Sequence, residues 1–356
     1  MSRLGPTDRV LVRLPSWLGD FVMAEPVVRA IHDQLSREGR PEDLTLVGPA
    51  PFFELFDGRF EGAARVTLPE LPSDWRGHDA ALFLNGSSRS PWTAVRAGIP
   101  VRVGRTGGAR GLLLTESITP ARERGRLPLG IGRAGRGRRT LPRPFTSVAI
   151  ELAGVLGIAV PGTAPRIVPT AAALECARAR RAECDVAGEF IVACVGARPG
   201  SSKGYPADAW ARALDELAAD RTVLLIGGPG EEDLVQAVGE ATRNARSARL
   251  LDPVADLAEL AAHCSEARLV LSTDGGSRHV ARAVGAPQVV VFGPTDPRHT
   301  GLQAATEVAV RQPVDCGPCH LELCPQDGAA HGACMRLVTP DRVAVAAQGL
   351  LARSSR

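Results

Sequence analysis

The chain has 356 residues, 44% of them hydrophobic and 23% charged, with a formal net charge of +3. That composition excludes a disordered chain, no apolar run is long enough to span a bilayer, and 42 basic against 39 acidic residues is too even for a general nucleic-acid binder. The opening stretch MSRLGPTDRVLVRLP lacks the regions of a secretory signal, so the cytoplasm is the expected compartment. Among the basic residues only Lys203 is a lysine, in a chain otherwise biased to arginine, and Tyr205 is the one tyrosine. A lone lysine marks a place where a compact point charge serves and a wide guanidinium fork does not; chance survival is the competing explanation.

The first half alternates short apolar runs with helical spacing. Residues 9–14 read as a strand and 20–35 as a helix, after a loop with Pro15 and Gly19. Runs at 44–47, 80–84 and 101–103 read as further strands, with a helix at 91–97. This βαβ pattern implies a parallel sheet. Residues 122–143 hold eight arginines among Gly and Pro and read as a mobile basic loop, either plain surface or a patch for anionic lipid or a phosphorylated acceptor. A helix at 145–156 precedes the Pro-rich stretch 160–169, the best interdomain linker.

A second series follows: strands at 190–195, 222–226, 268–271 and 288–292, helices at 207–217, 231–238, 257–264 and 277–284, and a terminal helix at 341–351. The domains expected are 1–165, 170–335 and a C-terminal segment 336–356 packing back toward the first domain. The fold class is α/β, two Rossmann-like parallel-sheet domains in tandem.

Four segments carry chemistry. In STDGGSRHVARAVGAP a strand runs through Asp274-Gly275-Gly276 into a helix, whose free N–H groups and dipole suit a phosphate; Asp274 as a plain N-cap is the alternative. GARPGSSKGYP (196–206) places Lys203 in a loop at the same sheet edge, so the two loops can clamp a diphosphate. In IGGPGEEDL either Glu231 or Glu232 can bond ribose hydroxyls or stabilise a helix start. In RLPSWLGDFVMAEP, Asp20 is a candidate general base or a first-turn helix carboxylate. The first strand lacks G-x-G-x-x-G and no Walker A occurs, which weakens a dehydrogenase or P-loop reading.

Taken in order, RLPSWLGDFVMAEPVVRAI, LFLNGSSRSPWTAVRAGIPVRVGRTGGARGLLLT, GARPGSSKGYP, STDGGSRHVARAVGAPQVVVFGPTDP and CGPCHLELCP…CM resemble the ADP-heptose:lipopolysaccharide heptosyltransferases of glycosyltransferase family 9, nearest the heptosyltransferase II branch. The resemblance spans about residues 10 to 345 and implies a GT-B fold, an acceptor domain followed by a donor domain facing across a cleft. It implies inverting transfer of heptose from ADP-heptose to a lipid-anchored inner-core acceptor, with no nucleic-acid partner and with peripheral contact at the inner face of the membrane. It assigns Asp20 as base and Lys203 as the cation on the donor phosphates. Ser201, Ser202, Glu231, Asp274, Gly275, Gly276 and His279 fall on the donor side. Ser16, Trp17, Asn85 and Arg89 fall on the acceptor side, Ser16 standing where Asn is expected. No Asp-x-Asp motif occurs, so no cofactor or divalent metal is expected in catalysis. Another sugar or acceptor on the same fold, or a non-catalytic nucleotide- or RNA-binding protein using the basic loop, are the alternatives.

Cys316, Cys319, Cys324 and Cys334 follow the pattern C-x2-C-x4-C-x9-C. Four thiolates so placed admit a structural zinc site, but the spacing is not that of a standard zinc finger, and reduced thiols pinning a loop are favoured.

Overall fold

The computed structural model describes residues 5, 7–128, 134–198, 200–217, 221–243, 246–250, 256–301 and 305–354. The chain forms two compact units, Met1–Arg122 with Arg143–Arg166, and Glu123–Pro142 with Ile167–Arg356. The break between Arg166 and Ile167 falls inside the Pro-rich stretch.

In the first unit the chain runs β1 (Val10–Arg13), α1 (Leu18–Arg37), β2 (Leu44–Gly48), β3 (Ala64–Thr67), β4 (Ala80–Phe83), α2 (Arg89–Ala97), β5 (Val101–Arg105) and β6 (Glu116–Ile118). After β7 (Arg122–Pro128) and β8 (Ala134–Thr140) it returns as α3 (Phe145–Val155). The sheet order is β3-β2-β1-β4-β5-β6, every pair parallel. β1, β2 and β4 are buried along their whole length, as apolar runs covered on both faces must be.

The second unit repeats the plan. α4 (Ala171–Glu183), β9 (Phe190–Cys194), α5 (Ala207–Leu217), β10 (Thr222–Ile226), α6 (Glu232–Ala241) and β11 (Arg246–Arg249) come first. α7 (Leu257–Glu266), β12 (Leu269–Thr273), α8 (Gly276–Ala283), β13 (Gln288–Phe292), β14 (Glu307–Arg311), α9 (Ala333–Arg336) and α10 (Pro340–Ser354) complete it. The order β11-β10-β9-β12-β13-β14 is again wholly parallel. Both sheets therefore reverse direction beside their first strand, at β1/β4 and at β9/β12, where open α/β sheets bind ligands.

Three expectations need correcting. The basic stretch is not a plain loop: β7 and β8 pair as a two-stranded ribbon, with 129–133 outside the described residues. The ribbon also groups with the second unit, although it interrupts the first in sequence. The terminal helix is not a separate segment, because α10 packs on α5 and on β12, β13 and β14 of its own unit, burying Val343, Ala347 and Leu350.

Aromatic packing fixes both cores. Phe21, the residue after Asp20, stacks on Phe56 at 4.8 Å and meets Phe52 and Phe53 edge-on at 5.3 and 5.9 Å. In the second unit Tyr205 meets Trp210 edge-on at 5.0 Å, and its hydroxyl donates to Val338 O at 2.9 Å. Burial pushes the Tyr205 phenol up to about 12.

Glu25, fully buried on α1, holds the end of the first unit in place. It accepts from Arg29 Nε at 3.0 Å, from Arg59 Nη2 at 2.7 Å and from the Arg166 backbone N–H at 2.9 Å. Removing it strands two guanidinium groups. Glu25→Ala is expected to cost about 3–5 kcal/mol in urea unfolding, and a loss under 1 kcal/mol would show that this cluster does not anchor the linker.

Candidate active site

In the second unit the candidate residues gather at the carboxyl ends of β9, β10 and β12. The β9–α5 loop carries Lys203, whose Nζ donates to the Asp274 backbone O at 2.7 Å and lies 3.4 Å from Asp274 Oδ2. Asp274 ends β12 and is 5% exposed. Its Oδ1 accepts from Arg278 Nε at 2.9 Å, and its Oδ2 from Thr295 Oγ1 at 2.6 Å. Burial alone would raise this carboxyl; Lys203, Arg278, the Thr295 hydroxyl and His279 more than reverse it and hold it at about 2. Arg278 is fully buried and also pairs with Glu307 on β14, which Arg282 reaches from its other side at 3.2 Å.

Asp274 is not the N-cap of α8. That position is Gly275, in extended backbone, whose N–H already donates to Thr273 O at 2.8 Å. The free donors therefore begin at Gly276. The space around Gly275 is open: a Cβ there would meet nothing nearer than 3.9 Å. His279, on the first turn of α8, is buried, and its Nδ1 has no hydrogen-bond partner among the described residues. Burial, with Arg278 beside it, lowers its pKa well below the ordinary imidazole value, so it is neutral at pH 7.

The remaining donor-side residues divide. Ser201 Oγ accepts the Lys203 N–H at 3.3 Å. Ser202 is a strut: its hydroxyl donates to Leu321 O at 2.5 Å and its N–H to Glu322 O at 2.8 Å. Of the two glutamates after β10, Glu231 lies over the end of β9. A Cβ at Gly196 would sit 1.6 Å from Glu231 Oε2, so the carboxylate lies directly against the backbone there and any larger residue would displace it. Oε2 accepts from Gly228 N–H at 2.7 Å, and burial raises the carboxyl pKa. Glu232 is the first residue of α6 and accepts from Gly230 N–H at 3.1 Å.

In the first unit Ser16, Trp17 and Asp20 share the β1–α1 turn, and Asn85 and Arg89 follow β4, the next strand in the sheet. Asp20 is the third residue of α1, and Trp17 stands 63% exposed at its N-cap. Ser16 Oγ accepts from Arg13 Nη2 at 3.2 Å, and Asn85 Nδ2 donates to Ser90 Oγ at 2.8 Å.

The sequence reading missed Thr295, Arg278 and Glu307. Arg278 was findable, lying four residues past Asp274 on a helix, but Thr295 and Glu307 reach it only through the fold. The four clustered cysteines form no disulfide among the described residues. Among the described residues no group of three or more His, Cys, Asp and Glu is arranged to hold a metal ion. Cys334 instead packs on Gly293, where a Cβ would lie 3.1 Å from its sulfur, and Cys324 Sγ accepts the Gly332 N–H at 3.2 Å. Burial, with the other three cysteines nearby, pushes Cys334 up to about 11.

Because the Asp274 carboxyl lies at about 2 against an ordinary 3.8, its ionised form stabilises the fold above pH 3.8 and this contribution is lost as the pH falls toward 2. The stability gap between the native chain and Asp274→Asn should be flat above about pH 4 and shrink by about 2 kcal/mol below it. A gap independent of pH in urea titrations would remove the charged network.

Comparison with known proteins agrees with this architecture. The family profile described as glycosyltransferase family 9 (heptosyltransferase) matches residues 156–330. A lipooligosaccharide heptosyltransferase 2 of Haemophilus ducreyi is 24% identical over 97% of this chain and 99% of its own length. E. coli ADP-heptose lps heptosyltransferase II superposes with a TM-score of 0.73 at 20% identity, covering 98% of this chain and all of the other. E. coli heptosyltransferase WaaC with ADP follows at 0.64 and 18%, covering 98% of each. The two-sheet fold is the GT-B fold of the heptosyltransferase structures it superposes on, and residues 156–330 match the profile of glycosyltransferase family 9, the heptosyltransferases.

Proposed function

We propose that this enzyme moves heptose from ADP-heptose to a lipid-anchored lipopolysaccharide inner-core acceptor with inversion at the anomeric carbon. The observation that carries the reading is Lys203 held against Asp274 at the open start of α8, in a family whose members include a heptosyltransferase solved with ADP. On this reading Lys203 Nζ and the N–H groups from Gly276 onward meet the diphosphate, and neutral His279 lines the same turn. Glu231 takes the ribose. Ser16, Trp17, Asn85 and Arg89 receive the acceptor.

The chemistry needs no redox group. Asp20 takes the proton of an acceptor hydroxyl, the oxygen bonds to the anomeric carbon, and the bond from that carbon to the β-phosphate oxygen breaks. ADP departs with the negative charge that Lys203 and the helix N-terminus are placed to balance. A fixed cation does here what a divalent metal does elsewhere, so no cofactor enters this reading. The clustered cysteines stand outside it as reduced thiols pinning residues 316–334, which the packing of Cys334 on Gly293 supports. The site of action on this reading is the cytoplasmic face of the inner membrane; among the described residues no helix is long and apolar enough to cross one.

Mass spectrometry of a reaction with ADP-heptose, truncated core acceptors and no added divalent metal tests this. One heptose gained on a mono-heptosylated acceptor is the expected result; gain only on the heptose-free acceptor moves the branch, and no transfer overturns the substrate assignment. Asp20→Asn should abolish transfer while leaving ADP binding intact. Lys203→Ala should lower kcat/KM by about 10²–10³-fold. Retention of full activity by either variant rules out its assigned role.

A further inference from the structure

The residues from 80 to 115 hold five arginines and no acidic residue, in a chain whose basic and acidic counts nearly balance. They form β4, α2, β5 and the short turn Arg110–Leu113 of the first unit. Three large apolar side chains in this segment face water: Trp92 is 53% exposed, Val95 39% and Leu112 89%. They are not scattered. Trp92 and Val95 lie one turn apart on α2, with Arg89 and Arg96 on either side, and α2 packs against the turn that carries Leu112.

The chain spends bonds on holding this surface. Arg102 Nε donates to Leu113 O at 2.7 Å, and Arg110 Nη1 donates to Asn85 O at 2.9 Å, which ties the turn to the loop after β4. Arg89, Arg96 and Arg105 are left exposed. The other turn packed against α2, Pro72–Trp75, carries one carboxylate, Asp74, which accepts from the Leu71 N–H at 2.7 Å. A tryptophan, a valine and a leucine set among guanidinium groups that pair with no carboxylate among the described residues match the headgroup region of an anionic bilayer: rings and aliphatic tips enter the acyl boundary while arginines pair with phosphates.

We infer that α2 and the Arg110–Leu113 turn form a membrane-docking face that seats the first unit on an anionic lipid surface. The basic ribbon of β7 and β8 belongs to the other unit and is not required. The inference takes its purpose from the lipid-anchored acceptor proposed above, but vesicle binding can be read without any transfer.

Co-sedimentation of the full chain with phosphatidylcholine vesicles containing about a third phosphatidylglycerol, against phosphatidylcholine alone, tests it. The protein should pellet only with the anionic vesicles and be released by high salt. Trp92→Ser/Leu112→Ser and Arg96→Glu/Arg105→Glu, both on exposed positions, should each cut partitioning at least about tenfold. Circular dichroism melts and transfer to a water-soluble truncated acceptor should stay unchanged. A native chain that ignores anionic vesicles, variants that pellet like it, or a patch that instead retains single-stranded RNA would overturn the inference. Patch-dependent pelleting by a chain that transfers no heptose would keep the docking face and remove the substrate assignment.

Discussion

A carboxylate almost sealed from water sets the geometry of the second unit. Asp274 can stay ionised only because Lys203, Arg278 and Thr295 surround it. Arg278 is itself fully buried and needs Glu307, and Glu307 in turn is shared with Arg282, whose Nη1 and Nη2 donate to Thr300 O and Gly301 O at 2.9 and 2.7 Å. Each charge requires the next. Such a chain adds little net stability, since desolvation offsets most of the attraction, but it leaves very few arrangements in which every charge is satisfied. Its outer member, Lys203, is thereby held at one place on the sheet edge.

The two units share a strand order yet offer opposite chemistry at the same topological point. Beside the reversal of the first sheet stands a carboxylate, Asp20, on a helix turn that Phe21 pins into an aromatic cluster. Beside the reversal of the second stands an ammonium group, next to a helix start with open space around Gly275. The fold supplies two equivalent shelves, and what each can do follows from the residues placed on it.

What was legible in the sequence follows burial. The central strands β1, β9, β10, β12 and β13 are covered on both faces and read as unbroken apolar runs. Within the two six-stranded sheets the strands that went unread, β3, β6, β11 and β14, are the four edges, where solvent on one side permits mixed sequences such as ARVT and RSAR. The site shows the same split. Lys203 stood out as the one lysine and Asp274 by its Gly-Gly turn. Thr295 and Glu307 did not, because they reach Asp274 and Arg278 only after three strands have been laid side by side. Ser202 lay in the right loop, but its hydroxyl belongs to Leu321.

The Lys203 loop is fastened from far along the chain. Ser202 bonds to Leu321 O and Tyr205 to Val338 O, partners 119 and 133 residues downstream. During synthesis from the N-terminus, β9 and α5 emerge long before anything exists to hold the loop between them. The loop of the lysine is fastened only once residues 321–338 have left the ribosome. A nascent chain stalled before that point would own both sheets' first strands and still lack the two bonds that fasten the Lys203 loop.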